Sequence, residues 1–269
     1  MALLDFFDRT RTEDLSTGAP VHEVRIPAGY QRQVSWMPQI GDIFPNFAAP
    51  STQGQIDFHD WAEGHWVLML SHPSTRSGVS ATEWGGIASM KAEFDALGIK
   101  VLGVCCEHVV DLARWEEQIA ASFGLEIDFP TVEDRTGKLS AAFGMIHPKQ
   151  GKDMAIRKSF VIDPNLLVKM SAEYPINVGR SIDEMLRAIE ALQVTDAHRV
   201  GIPADWDAGQ DCLLAPYITE AEAQAGYGAV RHVEPNMRVI ACPDGPAGAH
   251  VLPAPPQSLG ETYGGPRRP

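Results

Sequence analysis

The sequence contains no long hydrophobic run and no excess of positive charge. Its apolar runs, such as Trp66–Leu70, are far shorter than the roughly 20 residues that a membrane-spanning helix needs. The 35 acidic side chains outnumber the 22 lysines and arginines, which gives a net charge of −13. Nucleic acids and anionic membranes attract clustered basic side chains. We therefore expect neither a nucleic acid nor a membrane as a partner.

Cysteine is also scarce, and its spacing is informative. The chain has four cysteines, namely Cys105, Cys106, Cys212 and Cys242. The C-x-x-C spacing of metal sites is absent, and adjacent cysteines rarely bridge each other. This pattern predicts a reducing, cytoplasmic setting, and we expect no metal or other cofactor. Asp5 and Asp8 interrupt the apolar start of the chain, so we expect no secretory signal there.

The most informative stretch runs from Trp66 to Glu83. Its apolar start predicts a buried strand, which Pro73 ends because proline cannot donate to a sheet ladder. After a polar loop, the segment Ser80–Glu83 has the pattern of a capping box, which predicts a helix from Ser80 to about Leu97. Such a strand, loop and helix start presents backbone N–H groups to a ligand at the first helical turn.

The segment from Ser71 to Glu83 resembles the pattern S-H-P-x-x-x-T-P-V-C-T-T-E of the 1-Cys peroxiredoxins. It shares the opening Ser-His-Pro, the valine and the closing Thr-Glu. The resemblance implies an α/β thioredoxin-like fold, a thiol-dependent peroxidase of the antioxidant AhpC/TSA type, and site residues at His72 and Glu83. It also places Ser80 where the family has its peroxide-reducing cysteine, and Ser77 where the family has a threonine.

Further motifs extend the resemblance over about residues 41–243. The sequence G-D-I-F-P-N-F from Gly41 resembles the opening of the family. By the same resemblance, Arg157 is the arginine that lies over the active cysteine and orients the peroxide, and Arg180 is the second family arginine. The sequence R-V-x-x-P-x-D-W from Arg199 resembles the start of a small C-terminal domain that wraps a second subunit, so a homodimer or higher homo-oligomer is implied.

The chain is expected to divide into four segments. Residues 1–40 form an N-terminal extension, and residues 41–197 form the thioredoxin-like peroxiredoxin domain. Residues 198–243 form the C-terminal 1-Cys peroxiredoxin dimerisation domain, and residues 244–269 form a tail rich in proline and glycine. The apolar start of the extension predicts docking on a partner subunit. The tail has too little apolar surface to order itself alone.

The remaining pattern predicts alternating strands and helices. The predicted elements are a strand over Lys100–Cys106, an amphipathic helix over Val109–Phe123, strands from Ile156 and over Leu166–Glu173, and a helix over Ser181–Leu192. The carboxyl end of the first of these strands brings Cys105 and Cys106 to the ligand-binding edge. Each is either a small core hydrophobe or a redox thiol that compensates for Ser80, and side-chain alternation leaves at most one accessible.

The chemistry implied by the family depends on a thiolate at the start of a helix. Such a thiolate attacks the O–O bond of a peroxide and becomes a sulfenic acid. The hydroxyl of Ser80 stays protonated in the same field, and oxygen has no equivalent of the sulfenic state. We therefore predict a peroxidase activity that is impaired or absent. Departures at Arg76, Ser77, Gly78 and Ala81 favour natural divergence over a single introduced replacement.

Two other functions remain open at this point. Ser80 as nucleophile, His72 as base and Arg157 as oxyanion donor would suit hydrolysis or acyl transfer. Alternatively, the chain is a non-catalytic ligand-binding or chaperone-like protein, with Ser80 as a helix cap and His72 in a structural role. In that case Arg157 and Arg180 would hold an anionic ligand. The expected small-molecule partner is a peroxide or an anion.

Overall fold

A computed structural model describes residues 37–147, 149–151, 153–234 and 237–243. Within these ranges, no helix is both long and apolar enough to cross a membrane. The expectations for residues 1–36 and for the tail from residue 244 lie outside the described residues.

Two sheets and the helices around them make up the described chain. The strands of the larger sheet are β1 (Ala48–Ser51), β2 (Gly54–Asp57), β3 (Trp66–Ser71), β4 (Ile99–Cys105), β5 (Thr131–Glu133), β6 (Arg157–Ile162) and β7 (Val168–Tyr174). The helices are α1 (Phe58–Ala62), α2 (Gly78–Ser89), α3 (Lys91–Ala96), α4 (Val109–Phe123), α5 (Lys138–Ala142), α6 (Ile182–His198) and α7 (Glu220–Tyr227). The smaller sheet contains β8 (Val200–Gly201), β9 (Cys212–Leu214), β10 (Arg231–Glu234) and β11 (Met237–Ile240).

The larger sheet is mixed, with the order β2-β1-β5-β4-β3-β6-β7. Strands β3, β4 and β5 are parallel to one another, whereas β6 runs antiparallel between β3 and β7. The carboxyl ends of β3 and β4 therefore meet at one edge, as the sequence predicted. The two strands predicted from Ile156 and over Leu166–Glu173 are observed as β6 and β7, which pair antiparallel across the turn at Asp163.

The larger sheet has a hydrophobic core on each face. Alternation along β4 sends Leu102 and Val104 into one core and Ile99 and Val101 into the other. The first core is rich in phenylalanine, and helices α2, α3, α4 and α6 cover the second. Cys105 is fully buried, whereas the following Cys106 is half-buried. The prediction that at most one of these two cysteines is accessible is confirmed.

The helix predicted over Ser80–Leu97 is wrong at its start and in its continuity. Helix α2 begins two residues earlier, because Ser77 has an extended backbone and its Oγ accepts from the Ser80 N–H at 3.3 Å. The helix then breaks at Met90, where φ is −108° and ψ is 20°, and α3 follows as a separate helix.

The long helices have local end signals. The bounds predicted for α4 are confirmed: His108 Nδ1 accepts from the Val110 N–H at 3.1 Å, and Gly124 ends the helix with a φ of 66°. Phe123, the last residue of this helix, is 51 % exposed. Helix α6 continues to His198 instead of ending at Leu192.

Gly103 lies in the middle of β4, where the sheet leaves no room for a side chain. A Cβ there would lie 2.6 Å from Trp84 Cζ2 and 2.7 Å from Thr131 Oγ1. Because overpacking costs typically about 1–3 kcal/mol, we expect Gly103→Ala to lower the free energy of unfolding by that amount in denaturant titrations. Gly78→Ala is the control, since nothing lies within 4 Å of its added Cβ. Equal midpoints for the two variants would contradict the prediction.

Candidate active site

The first turn of α2 lies at the carboxyl edge of the larger sheet, directly after the loop that follows β3. Ser80 belongs to this turn and is fully buried. Ser77 is the residue that caps the helix, so the interpretation of Ser80 as a helix cap is wrong. Since Ser80 is not needed as a cap, its hydroxyl is available for other contacts.

Arg157 holds the start of α2 from the neighbouring strand β6. Its Nη1 donates to Ser80 Oγ at 3.2 Å and to Glu83 Oε2 at 2.6 Å. Its Nη2 donates to Ser77 Oγ at 3.0 Å, and its Nε donates to the carbonyl of Ile176 at 3.0 Å. The guanidinium is fully buried and thereby joins both serines to one carboxylate.

Arg180, just before α6, binds the same carboxylate from the other side. Its backbone N–H and its Nε each donate to Glu83 Oε1 at 2.9 Å, and its Nη2 donates to Oε2 at 2.8 Å. Its Nη1 donates to the Lys158 carbonyl and to Ser159 Oγ, at 3.2 Å each. The predicted capping box is therefore wrong: charge-assisted bonds to two arginines occupy Glu83 instead of the start of its own helix.

The buried cluster carries more positive than negative charge. Arg157 and Arg180 face the single carboxylate of Glu83, and all three side chains are 2 % exposed or less. The amides at the start of α2 add the positive end of a helix dipole. A negative charge at position 80 would be stabilised by contact with Arg157. The hydroxyl of Ser80 is neutral, so it does not balance the excess positive charge of the cluster.

His72 contacts aromatic rings. Its ring centroid lies 4.8 Å from that of Trp115, in a stacked arrangement, and 4.5 Å from that of Trp84, edge to face. Among the described residues, neither ring nitrogen has a hydrogen-bond partner of good geometry. Burial, and next the charge of Arg180, lower the pKa of His72 to about 3. The structure thus brings Ser77, Glu83 and both arginines around Ser80, but holds His72 as a neutral ring between indoles.

The two cysteines at the end of β4 lack the features of an activated thiol. Burial raises the pKa of Cys105 far above its ordinary value. Burial also raises the pKa of Cys106, whose Sγ lies 3.5 Å from Ser140 Oγ. A thiol that reduced peroxide in place of Ser80 would need a lowered pKa and a positive environment. These surroundings oppose the hypothesis that either cysteine compensates for Ser80.

A polar chain beneath the site is not evident from the motifs. Trp84 Nε1 donates to Thr131 Oγ1 at 3.2 Å, and that hydroxyl donates to the carboxylate of Glu116. Glu116 is 8 % exposed, and burial raises its pKa to about 7. One signal could have found it: Glu116 stands four residues after Leu112, on the apolar face of α4.

The raised pKa of Glu116 predicts a pH-dependent stability. An acid whose folded pKa exceeds its unfolded value stabilises the fold fully below the unfolded pKa of 4.5, and this contribution is lost as pH rises through about 7. We expect the free energy of unfolding to fall by on the order of 3 kcal/mol over that interval. Glu116→Gln, which stays neutral, should remove this slope in denaturant titrations between about pH 5 and about pH 8.

The control variant is Glu117→Gln, which neutralises the exposed carboxylate next to Glu116 in the sequence. All other titrating groups are common to the variants, so the difference between the pH profiles isolates Glu116. Parallel profiles for the parent and Glu116→Gln would contradict the prediction.

Comparison with known proteins agrees with this geometry. The AhpC/TSA family profile matches residues 40–171, and the profile for the C-terminal domain of 1-Cys peroxiredoxin matches residues 191–229. The 1-Cys peroxiredoxin of Dictyostelium discoideum is 31 % identical over 208 residues, covering 77 % of this chain and 84 % of that protein. The chain is a member of the 1-Cys peroxiredoxin family. A peroxiredoxin of Methanosarcina mazei is 37 % identical over 67 % of this chain and 85 % of its own length.

Solved structures of the family confirm the thioredoxin-like fold. A cysteine-to-serine variant of peroxiredoxin 6 from Arenicola marina superposes with a TM-score of 0.74 at 32 % identity, covering 77 % of this chain and 99 % of that one. The yeast mitochondrial 1-Cys peroxiredoxin gives a TM-score of 0.72 at 31 % identity, covering 76 % of this chain and all of that one. The expected fold class, with its small C-terminal domain, is therefore confirmed.

Proposed function

We propose that this chain is a peroxiredoxin-family protein in which Ser80 stands at the position of the peroxide-reducing cysteine and does not reduce peroxide. The observation that carries this proposal is the 3.2 Å hydrogen bond from Arg157 Nη1 to Ser80 Oγ. In the first turn of α2, this contact is the one that a thiolate needs in order to stay ionised. The surroundings of residue 80 thus suit a thiolate nucleophile, but the side chain of Ser80 carries a hydroxyl.

The chemistry of serine explains why activity at this residue is lost. A hydroxyl remains protonated at neutral pH even where a thiol would ionise, so it is a weak nucleophile toward the O–O bond. Oxidation at the nucleophile would also require a sulfenic acid, which only sulfur forms. The buried charges of Arg157, Arg180 and Glu83 are the same whether residue 80 is a serine or a cysteine.

Peroxide turnover tests the proposal directly. The full chain would be mixed with hydrogen peroxide and a thiol reductant, and peroxide loss would be followed beside Ser80→Ala. We expect the two proteins to consume peroxide at the same background rate. A parent rate that falls in Ser80→Ala would overturn the proposal. A parent rate that falls only in Cys106→Ser would show that peroxide is reduced at a relocated thiol.

A second candidate function is the binding of a small anion without turnover. It is favoured by the buried cluster of two guanidinium groups against the single carboxylate of Glu83. Thermal melting of the parent with sulfate or acetate should show stabilisation that rises with anion concentration and is lost in Arg157→Gln. Melting that is independent of the anion, at constant ionic strength, would exclude this function.

The hydrolase alternative has less support from the geometry. A serine nucleophile needs a base within hydrogen-bond reach, and the contacts of His72 are with the rings of Trp84 and Trp115. We expect a fluorophosphonate probe to leave Ser80 unlabelled, both in the parent and in His72→Phe, which keeps an aromatic ring in the stack. Labelling of the parent that disappears in His72→Phe would support the hydrolase hypothesis.

We also propose that the chain is a cytoplasmic homodimer. Strand β7 lies at one edge of the larger sheet, and its strand partner among the described residues is β6. Backbone hydrogen bonds with Gly41 and Asp42 cover Val168 at the start of this edge, and its remaining length is suited to pairing with a second chain. The four cysteines are all free thiols, which suits a reducing compartment. Sedimentation analysis of the full chain at several concentrations would test the dimer, and a monomer at every concentration would exclude it.

A further inference from the structure

Two cysteines far from Ser80 meet in the smaller sheet. Cys212 is the first residue of β9, and β9 pairs with β11 so that Cys212 lies opposite Ile240, the last residue of β11. Cys242 follows two positions later. Because side chains alternate along extended backbone, Cys242 is directed to the same side of the sheet as Ile240 and Cys212.

Both thiols belong to the same hydrophobic core. Cys212 is fully buried in the cluster around Trp206, and Cys242 packs against that cluster while remaining partly exposed. Burial, and next the nearby Cys242 thiol, raise the pKa of Cys212 to about 12. The register of the sheet and the shared core therefore place the two side chains close together.

The end of the sheet gives this pair some freedom to adjust. A disulfide requires Cβ atoms about 3.5–4.5 Å apart, which is closer than diagonal neighbours in a regular ladder. Cys242 lies beyond the last paired residue of β11, so ladder hydrogen bonds do not fix its backbone. Closure of a disulfide therefore requires a shift of the segment that carries Cys242.

We propose that Cys212 and Cys242 are a redox-active dithiol that closes to a reversible disulfide on reaction with low-molecular-weight disulfides. This chemistry is separate from the Ser80 site. It lies in the C-terminal region, and it does not depend on the function proposed above.

The exchange proceeds in two balanced steps. Cys242, the more exposed thiol, loses its proton to solvent, and its thiolate attacks one sulfur of the small disulfide. A mixed disulfide forms, and one small thiol leaves. Cys212 then loses its proton and attacks the sulfur of Cys242, which releases the second small thiol. The dithiol gives up two electrons and two protons, and the reagent disulfide is reduced to two thiols. Because the Cys212 thiol is hard to ionise, the second step should limit the rate and accelerate as pH rises.

The closed form should also be the more stable one. The bridge would enclose α7, β10 and β11 in a covalent loop, and such a loop restricts the unfolded chain. Thermal melting of the oxidised protein is therefore expected at a higher temperature than that of the reduced protein.

Redox titration of the full chain tests the proposal. The protein would be equilibrated in buffers with stepped ratios of oxidised to reduced glutathione, quenched with acid, denatured and alkylated with iodoacetamide. Intact mass and peptide mapping should show the loss of two hydrogens, a Cys212–Cys242 linked peptide, and alkylation confined to Cys105 and Cys106. Reduced glutathione in excess should reverse the change.

Single variants test the order of attack. Cys212→Ser should accumulate a stable glutathione adduct on Cys242, whereas Cys242→Ser should form no adduct on the buried Cys212. A persistent adduct on Cys242 in the parent, a link to another cysteine, or a disulfide between two chains would each overturn the proposal. Because peptide mapping is done on the parent, a variant that fails to fold leaves the test intact.

Discussion

Replacing Ser80 with cysteine is expected to give the chain a peroxide-reducing activity that the parent lacks. The cysteine sulfur would take the place of Ser80 Oγ, within reach of Arg157 Nη1 and of the amides in the first turn of α2. These groups, and the positive excess of the buried cluster, should lower the pKa of the new thiol and keep it ionised at neutral pH. We expect the rate of reaction with hydrogen peroxide to rise by roughly 10³-fold or more.

Intact mass after a short pulse of stoichiometric peroxide would measure this gain. Ser80→Cys should gain one oxygen within seconds and return to its starting mass with added thiol, whereas the parent and Ser80→Ala stay unchanged. Adding Arg157→Gln to Ser80→Cys should remove most of the gain, since it removes the charge beside the sulfur. An inert Ser80→Cys would mean that the loop changes at Gly78 and Ala81 have also dismantled the peroxide site.

Replacing Glu83 with glutamine is expected to destabilise the fold strongly. The carboxylate of Glu83 accepts hydrogen bonds from both Arg157 and Arg180, and all three side chains are buried. Removing the one negative charge leaves two buried guanidinium groups without a counter-ion. Breaking a buried ion pair from one side costs about 3–5 kcal/mol, and we expect a fall of this size in the free energy of unfolding.

An exposed pair of the same chemistry provides the control. Glu184 accepts from Arg187 Nε at 2.6 Å and from Nη2 at 2.8 Å, but its side chain is 54 % exposed. Surface ion pairs contribute about 0–1 kcal/mol, so Glu184→Gln should shift the denaturation midpoint little. Similar losses for Glu83→Gln and Glu184→Gln would show that burial of the cluster has no special effect.

Helix ends could be predicted from the sequence where neighbouring residues determine them. The prediction failed where residues distant in the sequence determine the position of a helix end. The bounds of α4 could be predicted from its own pattern, and its observed caps at His108 and Gly124 lie beside it. The start of α2 was predicted at Ser80, because Glu83 stands three residues later at the position of a capping-box glutamate. Arg157 and Arg180 instead bind Glu83 from other elements, and Ser77 caps the helix.

The candidate site shows the same division. Family resemblance singled out Ser80, Ser77, Glu83 and the two arginines, and the structure places them in contact, while their catalytic roles remain predictions. The surroundings of His72 could not be read from its own segment, because Trp115 stacks on it from α4. The buried carboxylate of Glu116 could not be predicted from the family pattern, because it belongs to the apolar face of α4 and to no motif.

Helix α6 packs against two hydrophobic cores, and this couples the unfolding of the two sheets. Its first half, with Met185 and Ile189, packs into the core that contains Trp84, and its second half, with Val194, packs into the core that contains Trp206. A continuous helix of 17 residues therefore belongs to both sheets, without a joint between them. Partial opening of either region would expose part of this helix to water. The two regions should melt as a single cooperative unit, and the central amides of α6 should exchange with solvent deuterium only through global unfolding.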